Sequence, residues 1–194
     1  METLHPTKQR LLDAGLPMLL KHGYSDLGIQ TLLAGTGIPK GSFYHHFDDK
    51  ESFALQVVDQ YMRGAHMALD MALGDLALPP LARVRRFFAL IQENYRTEGY
   101  MGCLLGGLGQ ELSGISEAFR RRIAQCFEEI AARLGACLQD AQVCGDLPAD
   151  RDPLRMGHLL VDCWEGAALR SRLRGDGEPL SAMLDFYLAA AAGR

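Results

Sequence analysis

Apolar residues recur along most of the chain at spacings of three and four, the period of a helix with one buried face. Leu11, Leu12, Leu16, Leu19 and Leu20 make such a stripe over residues 7–22. Thr7 is the expected N-cap there and Gly23 the expected stop, while Pro17 predicts a kink or a shorter helix. A short helix is expected at about 29–35, ended by Gly35, followed by a tight turn at "TGI" and a second short helix at about 39–46 with Pro39 in its first turn. In "DDKE", Asp48 followed by Glu51 three residues on is a capping-box pattern, and it launches a long connecting helix over about 49–72. Past the breaker "GDLALPP", helices are expected at about 80–97, 103–112, 116–141, 153–174 and 179–191. No strand-like alternation of useful length interrupts them. The fold class is all-α: an N-terminal three-helix head over 1–50 and a larger helical body over 51–194.

The 194 residues are 48% hydrophobic, ample for a core, and carry a net charge of −4. That average speaks against nucleic acid, yet it permits a small basic patch on an acidic body. No apolar run approaches the roughly 18 residues of a membrane span, and the opening "METLHPTKQR" has no apolar core of a secretory signal. Five cysteines without a CxxC pair argue against a disulfide framework or a zinc site, and the expected location is the reducing cytoplasm.

Two short helices joined by a Gly-containing turn are the signature of a helix-turn-helix. In "PKGSFYHHF" (39–47), Phe43 and Phe47 lie four apart and are the expected core anchors. Lys40 and Tyr44 share a second face, Gly41 and His45 a third. Such a helix can enter a major groove and present its first turn to base edges. A metal site is a poorer reading, because His45 and His46 point about 100° apart and no Cys or carboxylate pair completes a ligand set. An ordinary helical corner with both histidines solvated is the plain alternative.

The run "HGYSDLGIQTLLAGTGIPKGSFYHHFDDKESF" resembles the N-terminal domain of the TetR family of bacterial transcriptional regulators. The resemblance covers about residues 7–60. It implies a homodimer that binds double-stranded DNA at a palindromic operator through the head, and a body that binds a ligand, dimerises and releases the DNA. Phosphate contacts are then implied for Gln30, Thr31, Tyr44, His45 and Lys50, and base-edge contacts for Lys40, Gly41 and Ser42. Gly28 stands where the family often has a Ser or Thr, so a hydroxyl contact is missing. The basic N-terminal arm of some relatives is reduced here to Lys8 and Arg10.

In the body, "YMGCLLGGLGQEL" fails as a phosphate loop, since no Gly-Lys-Ser/Thr follows and no strand precedes it. Read as a helix start, it puts Cys103 where the macrodipole favours a thiolate; the plain alternative is a small buried cysteine. "GCLLGGLGQEL" together with "CWEGAALRSRLR" resembles a TetR branch that includes NemR-like electrophile sensors and AcuR-like regulators responsive to acrylate. That resemblance implies a sensing thiol at Cys103 and an inducer that is a small molecule or electrophile. Trp164 and Glu165 match the branch's "WEG" stretch and can line a pocket; a core Trp beside a Glu at the dimer seam is equally open. Cys126 and Cys137, eleven apart on one helix, are expected to pack. The small and apolar last two helices are implied to form the dimer interface, with Ala167 and Ala189 among its small positions. No cofactor, metal or membrane contact is expected. Two rival readings remain: an enzyme using Cys103 with a helical His158, and a helical interaction protein that does not bind DNA.

Overall fold

A computed structural model describes residues 5–193, and among these every regular element is a helix. In chain order they are α1 (Pro6–His22), α2 (Ile29–Thr36), α3 (Lys40–His46), α4 (Lys50–Leu73), α5 (Pro80–Thr97), α6 (Leu104–Leu112), α7 (Glu117–Val143), α8 (Pro153–Arg174) and α9 (Glu178–Ala191). Several ends differ from the sequence expectation. His5, not Thr7, caps α1, its side chain accepting the Thr7 N–H, and the helix runs on through Pro17. The left-handed residue that ends α2 is Gly37 rather than Gly35. At the start of α4 the pair is Asp49 and Ser52: the Asp49 carboxylate accepts the Ser52 N–H at 2.7 Å, and the Ser52 hydroxyl accepts the Asp49 N–H at 3.3 Å. Glu51 is drawn away from any cap because it accepts the Ser116 hydroxyl at 2.7 Å.

The chain divides into two compact units. One combines the residues up to Arg63 with Leu104–Ile123; the other combines Gly64–Cys103 with the residues from Ala124 onward. The stretch 104–123 thus packs with the head, although the sequence sets it inside the body. In the first unit, α1 packs on α2, α3 and α6. Its core includes Leu11, Leu12, Leu32 and an aromatic knot in which Phe43, Phe47 and Phe53 lie 4.9–5.3 Å apart, centroid to centroid. Edge and tilted ring contacts of this kind add to the burial itself, which is how a seven-residue α3 is held in shape.

The second unit is built on α8 packed against α9. Its core gathers Leu69, Phe87, Phe88, Tyr95, Leu134, Leu160, Trp164 and Leu188. Buried Arg83 donates to the Leu73 carbonyl at 3.0 Å and to the Asp140 carboxylate at 3.0 Å, so it closes the end of α4. α7 and α8 cross at Gly135 and Gly157; a Cβ on Gly157 would stand 2.4 Å from the Ala131 carbonyl oxygen. Cys126 and Cys137 are both buried and pack as expected. None of the five cysteines takes part in a disulfide.

Candidate DNA-reading head and sensor site

The turn between α2 and α3 is made by Gly37, at φ 67°, a left-handed conformation glycine adopts without a Cβ penalty. Its N–H returns to the Leu33 carbonyl at 2.9 Å, and buried Ile38 pins the turn to the core. With Phe43 inside, α3 turns its remaining faces outward. Lys40, Gly41, Tyr44 and His45 are exposed, Ser42 is half-buried, and Gln30 and Thr31 are exposed in the first turn of α2. Lys40 Nζ lies 5.8 Å from the Tyr44 ring centroid, so these two share a face as their spacing requires.

Not every cation of the head is available to DNA. Arg10 donates to the Thr36 carbonyl at 2.8 Å and closes the end of α2. Burial first, then His45, His5 and Lys8, hold the His46 imidazole below its ordinary pKa. Near neutral pH it is therefore an uncharged ring. Lys50, by contrast, keeps donors to spare: half-buried, its ammonium gives one of three N–H groups to the Ser25 carbonyl at 3.1 Å and lies 4.5 Å from the Tyr24 ring centroid. Gly28 caps α2 without a side-chain hydrogen bond, as its missing hydroxyl dictates.

A carboxylate to which sequence reasoning assigned no role sits behind the turn between α1 and α2. Glu111 accepts the Tyr24 N–H at 2.8 Å on Oε2 and the Ser25 N–H at 2.6 Å on Oε1. The partners are 87 and 86 residues apart in sequence, so no local pattern could have announced them.

The candidate sensor belongs to the second unit. Residues 99–102 leave α5 in an irregular path: Gly99, Tyr100 and Gly102 all have positive φ, and Tyr100, at 56°, is the non-glycine case among the described residues. A tyrosine held left-handed stores strain that its surroundings must support. Tyr100 is braced by its N–H on the Tyr95 carbonyl at 2.6 Å and by packing on the core. The path delivers Cys103 to the position just before α6, half-buried and packed against the core cluster that contains Trp164. Its thiol hydrogen-bonds to the Glu165 carboxyl, and burial pushes that carboxyl up to about 7. Two opposing influences therefore meet at the thiol: the positive end of α6 favours a thiolate, and an ionised Glu165 opposes it.

Trp164 is buried against Phe88 (4.4 Å) and Tyr95 (6.3 Å), the core position that the sequence left open. Ala167 is buried as well, while Ala189 is exposed. His158 is engaged by Glu128 at 2.9 Å. The outer faces of α8 and α9 leave Leu159, Leu169, Leu173 and Phe186 exposed, the last at 76%. A groove of about 530 Å³ runs beside them, lined by Leu159, Cys163, Met183, Phe186 and Tyr187 among others. Among the described residues, no group of three or more His, Cys, Asp or Glu is arranged to hold a metal ion, and no helix is long and apolar enough to cross a membrane.

Residues 11–57 match the family model for bacterial regulatory proteins of the tetR family, and residues 80–187 match that for the tetracyclin repressor-like C-terminal domain. Transcriptional regulator AcuR of Cereibacter sphaeroides is 38% identical over 89% of this chain and 79% of its own length. The HTH-type transcriptional repressor DhaR of Mycobacterium sp. is 33% identical over 95% of this chain and 92% of its own. Among solved structures, regulatory protein TetR from Rhodobacter sphaeroides superposes with a TM-score of 0.88 at 36% identity, covering 93% of this chain and 96% of that one. The reduced form of E. coli NemR does so with a TM-score of 0.82 at 27% identity, covering 94% and 95%. With a helix-turn-helix head, a helical body and relatives of this closeness, the chain belongs to the TetR family of DNA-binding transcriptional regulators.

Proposed function

We propose that this regulator is a cytoplasmic repressor that holds a palindromic operator as a homodimer and lets go when a small electrophile reacts at Cys103. Residues 1–50 recognise DNA; residues 51–194 dimerise and sense, with α4 as the connection. Lys40, Gly41 and Ser42, at the start of α3, meet base edges, and Gln30, Thr31, Tyr44, His45 and Lys50 meet phosphates. The repressor assignment draws on DhaR and NemR, both named HTH-type transcriptional repressors. The exposed apolar faces of α8 and α9 take the partner subunit, since a helix apolar on two sides must bury both.

The observation that carries the sensor is the Cys103 thiol hydrogen-bonded to the half-buried Glu165 carboxyl beside buried Trp164. In a reaction with an α,β-unsaturated carbonyl compound, the thiol proton passes to the Glu165 carboxylate and Sγ bonds to the β-carbon. Glu165 then returns the proton to the α-carbon of the enolate. The thiol adds across one double bond, with no leaving group and no oxidant. The adduct stays on the protein, so the step is a signal and the chain is not an enzyme.

A mobility shift with the DNA upstream of the chain's own gene, repeated with a panel of electrophiles and carboxylates, tests the reading. The free protein shifts the fragment and an electrophile reverses the shift; no shift, or reversal by carboxylates alone, contradicts it. Phe186→Glu is expected to give monomers in sedimentation and to weaken operator binding at least about a hundredfold, because a single half-site loses the second head. A dimeric Phe186→Glu protein would remove this face from the interface.

A further inference from the structure

Glu111 stands on α6, yet its carboxylate is committed to the turn between α1 and α2. We propose that Glu111 is a positioning residue for DNA binding: it fastens that turn and, through it, holds Lys50 ready for a phosphate. The inference rests on the assignment of Lys50 to a phosphate contact.

The turn is shaped to receive an anion. Gly23, at φ 74°, bends the backbone so that the Tyr24 and Ser25 N–H groups converge on one side, the concave arrangement that binds carboxylates and phosphates. Each oxygen of Glu111 takes one of them, and the Ser25 hydroxyl adds a third donor. A Cβ on Gly23 would stand 2.7 Å from Oε2, so the position needs glycine both for its dihedral and for the carboxylate's room. Burial acts to raise the Glu111 pKa, but the Ser25 and Tyr24 hydrogen bonds and the Lys50 charge outweigh it and leave the pKa below the ordinary value. The group is an anion throughout the neutral range.

Ser25 passes the constraint on. Its N–H goes to Glu111 and its carbonyl accepts from Lys50, whose ammonium also rests over the Tyr24 ring. The two residues that Glu111 holds are therefore the two that hold Lys50. The same stretch of chain grips the head elsewhere: the Tyr24 ring meets Phe119 edge-on at 5.5 Å, and Arg122 pairs with Asp59 at 2.7 Å. All of this lies within one compact unit. α6 begins at the residue after Cys103, so the helix that carries the latch is the one on which an adduct would pull.

Simple charge arithmetic predicts the opposite of the latch. Removing an acid from a DNA-binding head lessens repulsion and tightens binding. The test measures affinity of the full-length protein for its upstream DNA fragment across about 50–200 mM salt. Wild type is compared with Glu111→Ala, Glu111→Gln, Lys50→Ala and the Glu111→Ala/Lys50→Ala double variant. Expected for Glu111→Ala is about tenfold weaker binding and a salt slope shallower by about two per dimer, one for each head's Lys50. Glu111→Gln, which keeps the size and one good acceptor, falls between, and so guards against a folding defect in the alanine variant. The double variant binds no more weakly than the worse single one. Amide hydrogen exchange at Tyr24 and Ser25 quickens in Glu111→Ala without DNA. Binding equal to or tighter than wild type, or losses that multiply in the double variant, would overturn the proposal. An unchanged slope in Lys50→Ala would overturn the phosphate assignment beneath it, even if Glu111→Ala still weakened binding.

Discussion

Two glutamates, one in each compact unit, are both pushed up by burial yet end with pKa values shifted in opposite directions. Glu111 meets two backbone N–H groups, a hydroxyl and a nearby lysine, and its pKa falls. Glu165 meets a single thiol beside a buried indole, and its pKa climbs to about 7. Desolvation acts on both; the difference is the number of donors that answer the charge. The head thus spends a carboxylate as a permanent anion that organises backbone. The body keeps one poised near neutrality, where a proton can be exchanged with a neighbour. Structural and responsive carboxylates are told apart by their donors rather than by their exposure.

The largest effect that would sharpen this contrast is in stability against pH. Glu165 has a folded pKa above its unfolded value, so its contribution is fully present below about 4.5 and is lost as pH rises through about 7. The loss amounts to as much as about 3 kcal/mol. Glu165→Gln, which cannot ionise, is expected to be more stable than wild type at pH 8 by about 2–3 kcal/mol and nearly equal to it at pH 4.5. Denaturant melts at the two pH values decide this, and parallel curves for the two proteins would break the comparison.

A second effect, about tenfold, concerns the thiol. In the proposed addition, the Glu165 carboxylate takes the Cys103 proton as sulfur bonds to the electrophile, so the ionised carboxylate is the active form. The alkylation rate of Cys103 with N-ethylmaleimide should accordingly rise through about pH 7 in wild type as that carboxyl ionises. In Glu165→Gln, which has no base there, it should lack that rise and run about tenfold slower near pH 7.5. Coincident profiles would show that the carboxylate does not govern the sulfur.

The smallest effect belongs to Glu111. Its depressed pKa makes a contribution present above the unfolded value, near 4.5, and lost as pH falls through the folded one. Glu111→Gln, which keeps one acceptor, should cost about 1 kcal/mol at pH 7, the net scale of one hydrogen bond, and almost nothing at pH 3. A variant as stable as wild type at pH 7 would mean that the turn does not need the anion.

Legibility in the sequence followed the range of the contacts. The aromatic anchors Phe43 and Phe47, the outward Lys40–Tyr44 face and the Gly23 stop all depend on neighbours within a few residues, and the spacing announced them. The buried Cys126 and Cys137 followed from helical period alone. What the sequence could not announce was settled by distant partners. Glu51 left its expected cap for Ser116, 65 residues away, and Asp49 with Ser52 took over. The helix start marked Cys103, but Glu165 lies 62 positions on, and only the folded body brings its carboxyl to the sulfur. Glu111 was a lone acid on a short apolar helix until the head closed over it.

The account stands on Cys103 as the point where an electrophile ends DNA binding. The direct measurement titrates the operator complex with N-ethylmaleimide, follows bound DNA by anisotropy, and counts the modified cysteine by mass spectrometry in the same samples. Release that rises in step with modification of Cys103, together with a Cys103→Ser protein that binds the operator and stays bound, is the predicted result. Full modification of Cys103 on a complex that remains intact, or equal release of Cys103→Ser, would contradict it.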